Sequence, residues 1–341
     1  MLAGAAAASL LPALRPAQAA NVSAVAAADK LRAATPDAQR AELMQPFTDA
    51  ARSDWHYTPR RRAGIAWRDM SDAQRAAATE LLRSALTENG LDKVRAVMAL
   101  EIALRELETF GFNREPGNYA IALFGLPGDA NPWGWRIEGH HLSLHWTLQG
   151  NRYVATLPQF MGANPARVPR DIGPVKADTR VLGEEEDRAR ALLNALKPPQ
   201  RATAIFDTRT YGDIVTRASA QAAAPEPKGI AFGALDAAQQ AQLLALISAF
   251  AEHLKPELAQ ARLARVRVGG LDSLRFGWVG ATEPGRPFYF RVQGAGFVIE
   301  YDNSGGNHVH SVWRDFDGDW GRDVLAEHYR TAPPQHGHGK R

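Results

Sequence analysis

The chain has 341 residues, 45% of them hydrophobic and 23% charged, with 8 Trp and no Cys; this is ordinary globular composition and excludes collagen-like, disordered and multi-span membrane classes. The missing thiols exclude disulfides, Cys-ligated zinc, iron–sulfur clusters and cysteine nucleophiles, so any metal chemistry falls to His, Asp and Glu. With 40 Lys and Arg against 37 Asp and Glu the net charge is +3, and the longest basic run, Arg60-Arg61-Arg62, is too short for the basic stripe that nucleic acid requires.

Residues 1–20 are rich in Ala and Leu, lack acidic residues and end in Ala17-Gln18-Ala19, the small-x-small pattern of a signal-peptidase site. They read as the remnant of a signal peptide, which predicts a periplasmic or secreted protein; the run is too short and small-sided to span a bilayer, so no membrane span is expected. Residues 21–63 read as an N-terminal helical segment.

Two stretches then carry the same order of signals. Gly64-Ile65-Ala66-Trp67 precedes Ser71-Asp72-Ala73-Gln74 and the helical run Leu81, Leu82, Leu86; Gly229-Ile230-Ala231-Phe232 precedes Asp236-Ala237-Ala238-Gln239 and Leu243, Leu244, Ile247. Ser71 and Asp236 are N-cap residue types with Gln three residues on, the capping-box arrangement that opens a helix. A second helix is predicted over Leu91–Leu107 in one stretch and Pro256–Val266 in the other. Short alternating strands follow: Tyr119–Gly125, Trp135–Gly139 and Leu142–Trp146 against Leu274–Gly280, Phe290–Gly294 and Phe297–Tyr301.

The pattern predicts an α+β fold built from a duplicated helix-helix-antiparallel β-meander unit, two pseudo-symmetric halves packed into one body. The first repeat covers 64–177 and the second 229–330, with connecting helices and a linker over 178–228. In that connection Glu184-Glu185-Glu186 reads as a solvated helix start. Met161-Gly162-Ala163-Asn164-Pro165 reads as a Gly/Pro loop, and the Pro/Gly/His tail over 331–341 as disordered.

Five of the ten His fall in two clusters, Glu138-Gly139-His140-His141-Leu142-Ser143-Leu144-His145 and Asn307-His308-Val309-His310. On a strand, residues i and i+2 share a face with β-carbons about 7 Å apart, so His308 and His310 can converge on one ion. Read as one strand, the first cluster places His141, Ser143 and His145 on one face and Glu138, His140, Leu142 and Leu144 on the other. His141 and His145 stand about 13 Å apart along an ideal strand, too far for one ion. In the alignment of the halves His145 matches Glu300. Packing about a pseudo-twofold axis would bring His141, His308 and His310 together, with Glu138 or Glu300 as fourth ligand or general base. Such a donor set suits Zn, Cu, Fe or Mn with an open position. His56, His253 and His328 stand singly and read as surface or capping residues. Trp135, Arg136, Trp313 and Arg314, with His140 and His145, are the expected walls of an aromatic substrate pocket. Asp315-Phe316-Asp317-Gly318-Asp319 lacks the later Glu of a calcium loop and reads as a turn.

Together, Glu138–Leu144, Phe160–Pro165, Leu182–Glu185 and Ile299–Asn303 through Asn307–Asp315 resemble an exported bacterial family catalogued as a domain of unknown function, the 3500 family. The resemblance runs from about Pro46 to Tyr329. It implies an extracytoplasmic protein, often behind a twin-arginine leader, without an established activity to carry over; this chain has no twin-arginine motif near Met1. Family members often carry Asn where this chain has His145, which makes His141, His308 and His310 the core of the expected metal site. The expected function is an exported metal-dependent enzyme acting on a small-molecule or polymer-derived substrate in a His-rich site between two sheets, with hydrolysis by metal-activated water favoured over metal-dependent oxidation. A small-ligand-binding module without turnover, and a structural protein whose histidines only satisfy core polar groups, are the alternatives. Oligomeric state is not legible.

Overall fold

The structure, a computed structural model, describes residues 23–108, 115–128, 131–323 and 326. The expected signal segment, the tail and His328 lie outside those residues.

The first part of the chain runs α1 (Ala24–Ala34), α2 (Asp37–Leu43), β1 (Met44–Gln45), β2 (Ile65–Ala66), α3 (Asp72–Ala85), α4 (Glu88–Leu107), β3 (Ala120–Phe124), β4 (Pro132–Gly139), β5 (Leu142–Gln149), β6 (Arg152–Ala155) and β7 (Gln159–Ala163). The second runs α5 (Gly183–Ala195), α6 (Pro198–Ala204), β8 (Ile205–Asp207), β9 (Ile230–Ala231), α7 (Ala237–Ala249), α8 (Pro256–Val268), β10 (Arg275–Gly280), β11 (Phe288–Gln293), β12 (Phe297–Asn303) and β13 (Val309–Asp315). Both predicted capping boxes are present: Ser71 and Gln74 open α3, and Asp236 and Gln239 open α7, each pair exchanging side-chain and backbone hydrogen bonds.

The architecture is mixed α+β. All strands join one sheet in the order β1-β3-β4-β5-β7-β13-β12-β11-β10-β8, with β2, β6 and β9 paired beside it. The inner pairings are antiparallel, while β1 on β3 and β8 on β10 are parallel. The expectation of two separate sheets is therefore corrected: β7 pairs with β5 on one side and β13 on the other, so the strands continue as a single sheet. β7 takes in Met161, Gly162 and Ala163 of the stretch read as a loop. Its Gly/Pro composition resembles a turn, but Phe160, Met161 and Ala163 are all buried, and that burial makes it a strand. The segment 178–228 likewise supplies α5, α6 and an edge strand of the sheet.

Alternate residues sort onto two covered faces. Trp133, Trp135 and Ile137 of β4 and Leu142, Leu144 and Trp146 of β5 join the main core with the helices. The other face is covered by loops, through a smaller cluster of Trp55, Tyr57, Phe160, Ile214, Val312 and Trp320. The period-two alternation is thus not core against solvent: Arg136, Glu138, Ser143, His145, Glu300 and Arg314 form a buried polar layer under those loops. Burying charge is costly unless each group is paired, and Arg62 with Glu138 and Arg314 with Asp319 meet that condition. Glu185 and Glu186 also differ from the solvated reading: both are buried, paired with Lys93 and with Arg180 and Arg190. His253 is buried as well, because it closes the end of α7 against the start of α4. Among the described residues no helix is long and apolar enough to cross a membrane.

Candidate metal centre

His140 and His141 form the two-residue connection between β4 and β5, whose last pair is Gly139 with Leu142. His141 adopts φ +60°, a left-handed conformation that costs a non-glycine residue energy and needs outside support. Two backbone bonds supply it: His141 N–H donates to Tyr57 O at 2.9 Å, and Gly162 N–H donates to His141 O at 2.7 Å. His310 sits in β13 between Asp302 on β12 and Gly162 on β7, and His308 immediately precedes β13. Between the histidines lies a residue without a side chain. A Cβ on Gly162 would stand 2.9 Å from His141 Cδ2 and 2.8 Å from Val309 O, so His141 reaches across β7 only because Gly162 leaves the way open.

The result is a convergence of three imidazoles from both sides of β7. His141 Nε2 lies 2.8 Å from His308 Nε2, which lies 3.1 Å from His310 Nε2. One ligand atom from each of the three falls within 4.8 Å of the others, a grouping able to hold a metal ion. His141 is buried and the other two are partly open.

Asp213 and Tyr57 orient the cluster. Asp213 Oδ1 lies 2.7 Å from His310 Nδ1, and Tyr57 O–H donates to Asp213 Oδ2 at 2.9 Å. Burial would raise the Asp213 carboxyl, but the hydrogen bonds from His310, Tyr57 and the Ile214 backbone stabilise the ionised form, and the group lies below its ordinary value. Burial, reinforced by Asp213, pushes the Tyr57 phenol up, so it stays a donor. An ionised Asp213 accepts the Nδ1 proton of His310, which assigns that tautomer and turns the Nε2 lone pair toward the cluster. Tyr57 also stacks on Phe160 at 4.2 Å and presents its edge to His310. The loop carrying Asp213 is pinned by Glu300: its carboxylate accepts from Val215 N–H, Thr216 N–H, Thr216 Oγ1 and Tyr289 O–H.

On the helix side, Glu101 of α4 lies 2.5 Å from His140 Nδ1, and the His140 ring stacks on His141 at 3.8 Å. Glu101, His140 and His141 form a second group with the spacing to hold an ion.

The three His named from sequence are thus brought together; of the other candidates His140 lies against His141, and the rest lie elsewhere. Because the chain reverses at His140 and His141, Glu138 faces Ser143 across the hairpin and shares a face with Ser143 and His145, correcting the single-strand assignment. Trp320 Nε1–H donates to His145 Nδ1, His145 Nε2 bonds Ser143, and Ser143 O–H donates to Glu138, which also accepts from Arg62. Glu138 and Glu300 are therefore occupied as internal acceptors, and neither belongs to the three-His group. Trp135 stacks on Trp146 in the core, Arg136 donates to the carbonyls of Ala51 and Asp54, and Arg314 pairs with Asp319. Trp313 lies on the helix face under Arg262. The aromatics near the cluster are instead Tyr57 and Phe160. Asp213, Glu101, Tyr57 and Gly162 were not singled out from sequence. Only Gly162, two residues before the Asn164-Pro165 pair, carried a local signal, and it read as a loop.

No curated protein and no solved structure matches this chain. The profile of one family, described as a protein of unknown function (DUF3500), matches residues 17–322. The match spans β1 to β13, both histidine clusters and the loops that cover them, and the chain accordingly belongs to that family.

Proposed function

We propose that the protein is a metal-dependent enzyme whose ion is held by His141, His308 and His310. The observation that carries this reading is the convergence of the three Nε2 atoms. Metal–nitrogen bonds of 2.0–2.1 Å at tetrahedral angles separate ligand nitrogens by about 3.3 Å, close to the spacing found. Hydrogen bonding alone accounts for the cluster poorly: with neutral rings and His310 Nδ1 protonated toward Asp213, His308 Nε2 can serve His310 only as a donor, and that one proton would then have to serve His141 as well. A cation collects all three lone pairs.

Three neutral imidazoles suit Zn, Cu, Fe or Mn. An ion in such a site lowers the pKa of bound water toward neutrality, which supports hydrolysis; a redox-active ion in the same donors would support oxidation instead. Asp213 and Tyr57 fix His310, and the Glu101–His140 pair against His141 is the adjacent group placed to exchange protons. The substrate is a small molecule or a fragment of a polymer. The Ala17-Gln18-Ala19 signal supports export. The matched capping boxes, the positive φ of Gly64 and Gly229, and the paired hydrogen bonds Gly162 N to His141 O and Phe316 N to Gly296 O support descent of the halves from a duplication.

Metal analysis of untagged protein tests the centre. A stoichiometric ion is expected in the parent and is lost in His308→Ala and His310→Ala; absence of any ion after reconstitution with Zn, Cu, Fe and Mn overturns the proposal. Ester and phosphoester reporters that turn over only with metal then separate hydrolysis from oxidation or simple binding.

A further inference from the structure

A cavity of about 170 Å³ lies on the helix face of the sheet, away from the three-His group. Its walls are mostly apolar, including Leu157, Leu258, Val266 and Phe297. Roughly 150 Å³ suffices for a benzene ring in an apolar cavity, so the space suits one small ring or short chain.

Two residues that carry buried donors, Arg262 and Trp313, are among those that line it. Arg262 is 5% exposed; its Nη1 donates to Gln159 Oε1 and its Nη2 to the carbonyl and hydroxyl of Thr156, all neutral acceptors. Its Nε–H, and the Nε1–H of Trp313, find no acceptor among the described residues. The guanidinium lies over the Trp313 ring at 4.9 Å. Among the described residues no carboxylate stands within ion-pair distance of Arg262, because Asp315 and Asp323 are taken by Arg265 and Asp319 by Arg314.

A buried cation held only by neutral oxygens is short of counter-charge. We propose that the cavity binds a small carboxylate with an apolar body, its ring or chain among Leu157, Leu258 and Phe297 and its carboxylate neutralising Arg262. Burial pulls the Arg262 guanidinium down to about 9 and pushes the Asp315 carboxyl up to about 6. An added anion relieves the first, and Asp315 is itself paired with Arg265. A bidentate carboxylate also matches the planar donor geometry of arginine.

Calorimetric titration of the full chain, stripped of metal by chelator, with benzoate and with its neutral counterpart benzamide tests the proposal. Benzoate is expected to bind at least roughly tenfold more tightly than benzamide, since hydrogen bonds to charged groups are the strong ones. The preference should vanish in Arg262→Met. Ala261→Trp, which fills the mouth from an exposed position on α8 without removing a buried group, should abolish binding while leaving thermal unfolding cooperative. His308→Ala should bind benzoate as the parent does, which separates this cavity from the metal centre. Equal affinity for benzoate and benzamide, no binding of either, or undiminished binding in folded Ala261→Trp overturns it.

Discussion

Replacing Gly162 with alanine would set a Cβ 2.8 Å from the Val309 carbonyl oxygen and 2.9 Å from the His141 ring. Neither neighbour can yield freely: Val309 is fixed in β13, and His141 is held in its turn by two backbone bonds. Overpacking of this kind costs about 1–3 kcal/mol, and His141 must move, so Gly162→Ala should lose both stability and metal; urea unfolding and metal titration read the two effects. Asp213→Asn is the complementary change. It keeps the shape but no longer accepts the His310 proton on a charged oxygen, and partners of metal ligands typically matter by about 10–100-fold in affinity. Metal affinity should fall by that order with the fold intact, and unchanged affinity would remove Asp213 from the centre.

At the scale of elements, the loop bearing Asp213 has no regular structure of its own, and a buried carboxylate from β12 makes several of the bonds that position it. Glu300 satisfies two backbone N–H groups and two hydroxyls there. Glu300→Gln substitutes an amide that offers one acceptor oxygen and two unwanted donors, so it should cost about 1–3 kcal/mol and weaken metal binding by releasing the loop. If Glu300 served as a general base instead, the variant would keep its metal and lose only turnover. The helices were legible because their signals are local: caps, amphipathic spacing and stops placed α3, α4, α7 and α8 within a few residues. The strands β3, β4, β5, β10, β11 and β12 were legible for the same reason; the short β1, β2, β6, β8 and β9 hold too few residues to show a period, and the identity of β7 depends on what packs on either side of it.

For the molecule as a whole, acid sensitivity follows from two buried histidines. Burial, then the neighbouring charges of Arg136, Arg314 and Arg52, holds His145 well below the ordinary imidazole value; burial, then Arg262 and Lys93, does the same for His253. The unfolded chain takes up these protons below about pH 6.5 while the folded chain refuses them. Stability is therefore full above that value and falls as the pH drops through it, by up to about 1.4 kcal/mol per pH unit for each group. Denaturant unfolding of metal-free protein between pH 7 and pH 5 should show this slope, and His145→Asn should make it shallower; an unchanged slope would mean His145 is not held neutral. Local signals along the chain were enough for the α+β class, the capped helices α3 and α7, and the candidate ligands His141, His308 and His310, because periodicity, capping and His-x-His spacing act over a few residues. Long-range packing set the rest: the strands form one sheet, its polar face is buried, and Asp213, Glu101 and Tyr57 surround the histidines while Glu138 and Glu300 serve other groups. Those outcomes depend on which strand pairs with which and on what covers each face, and residues about forty to a hundred and seventy positions apart meet there without any local trace in the chain.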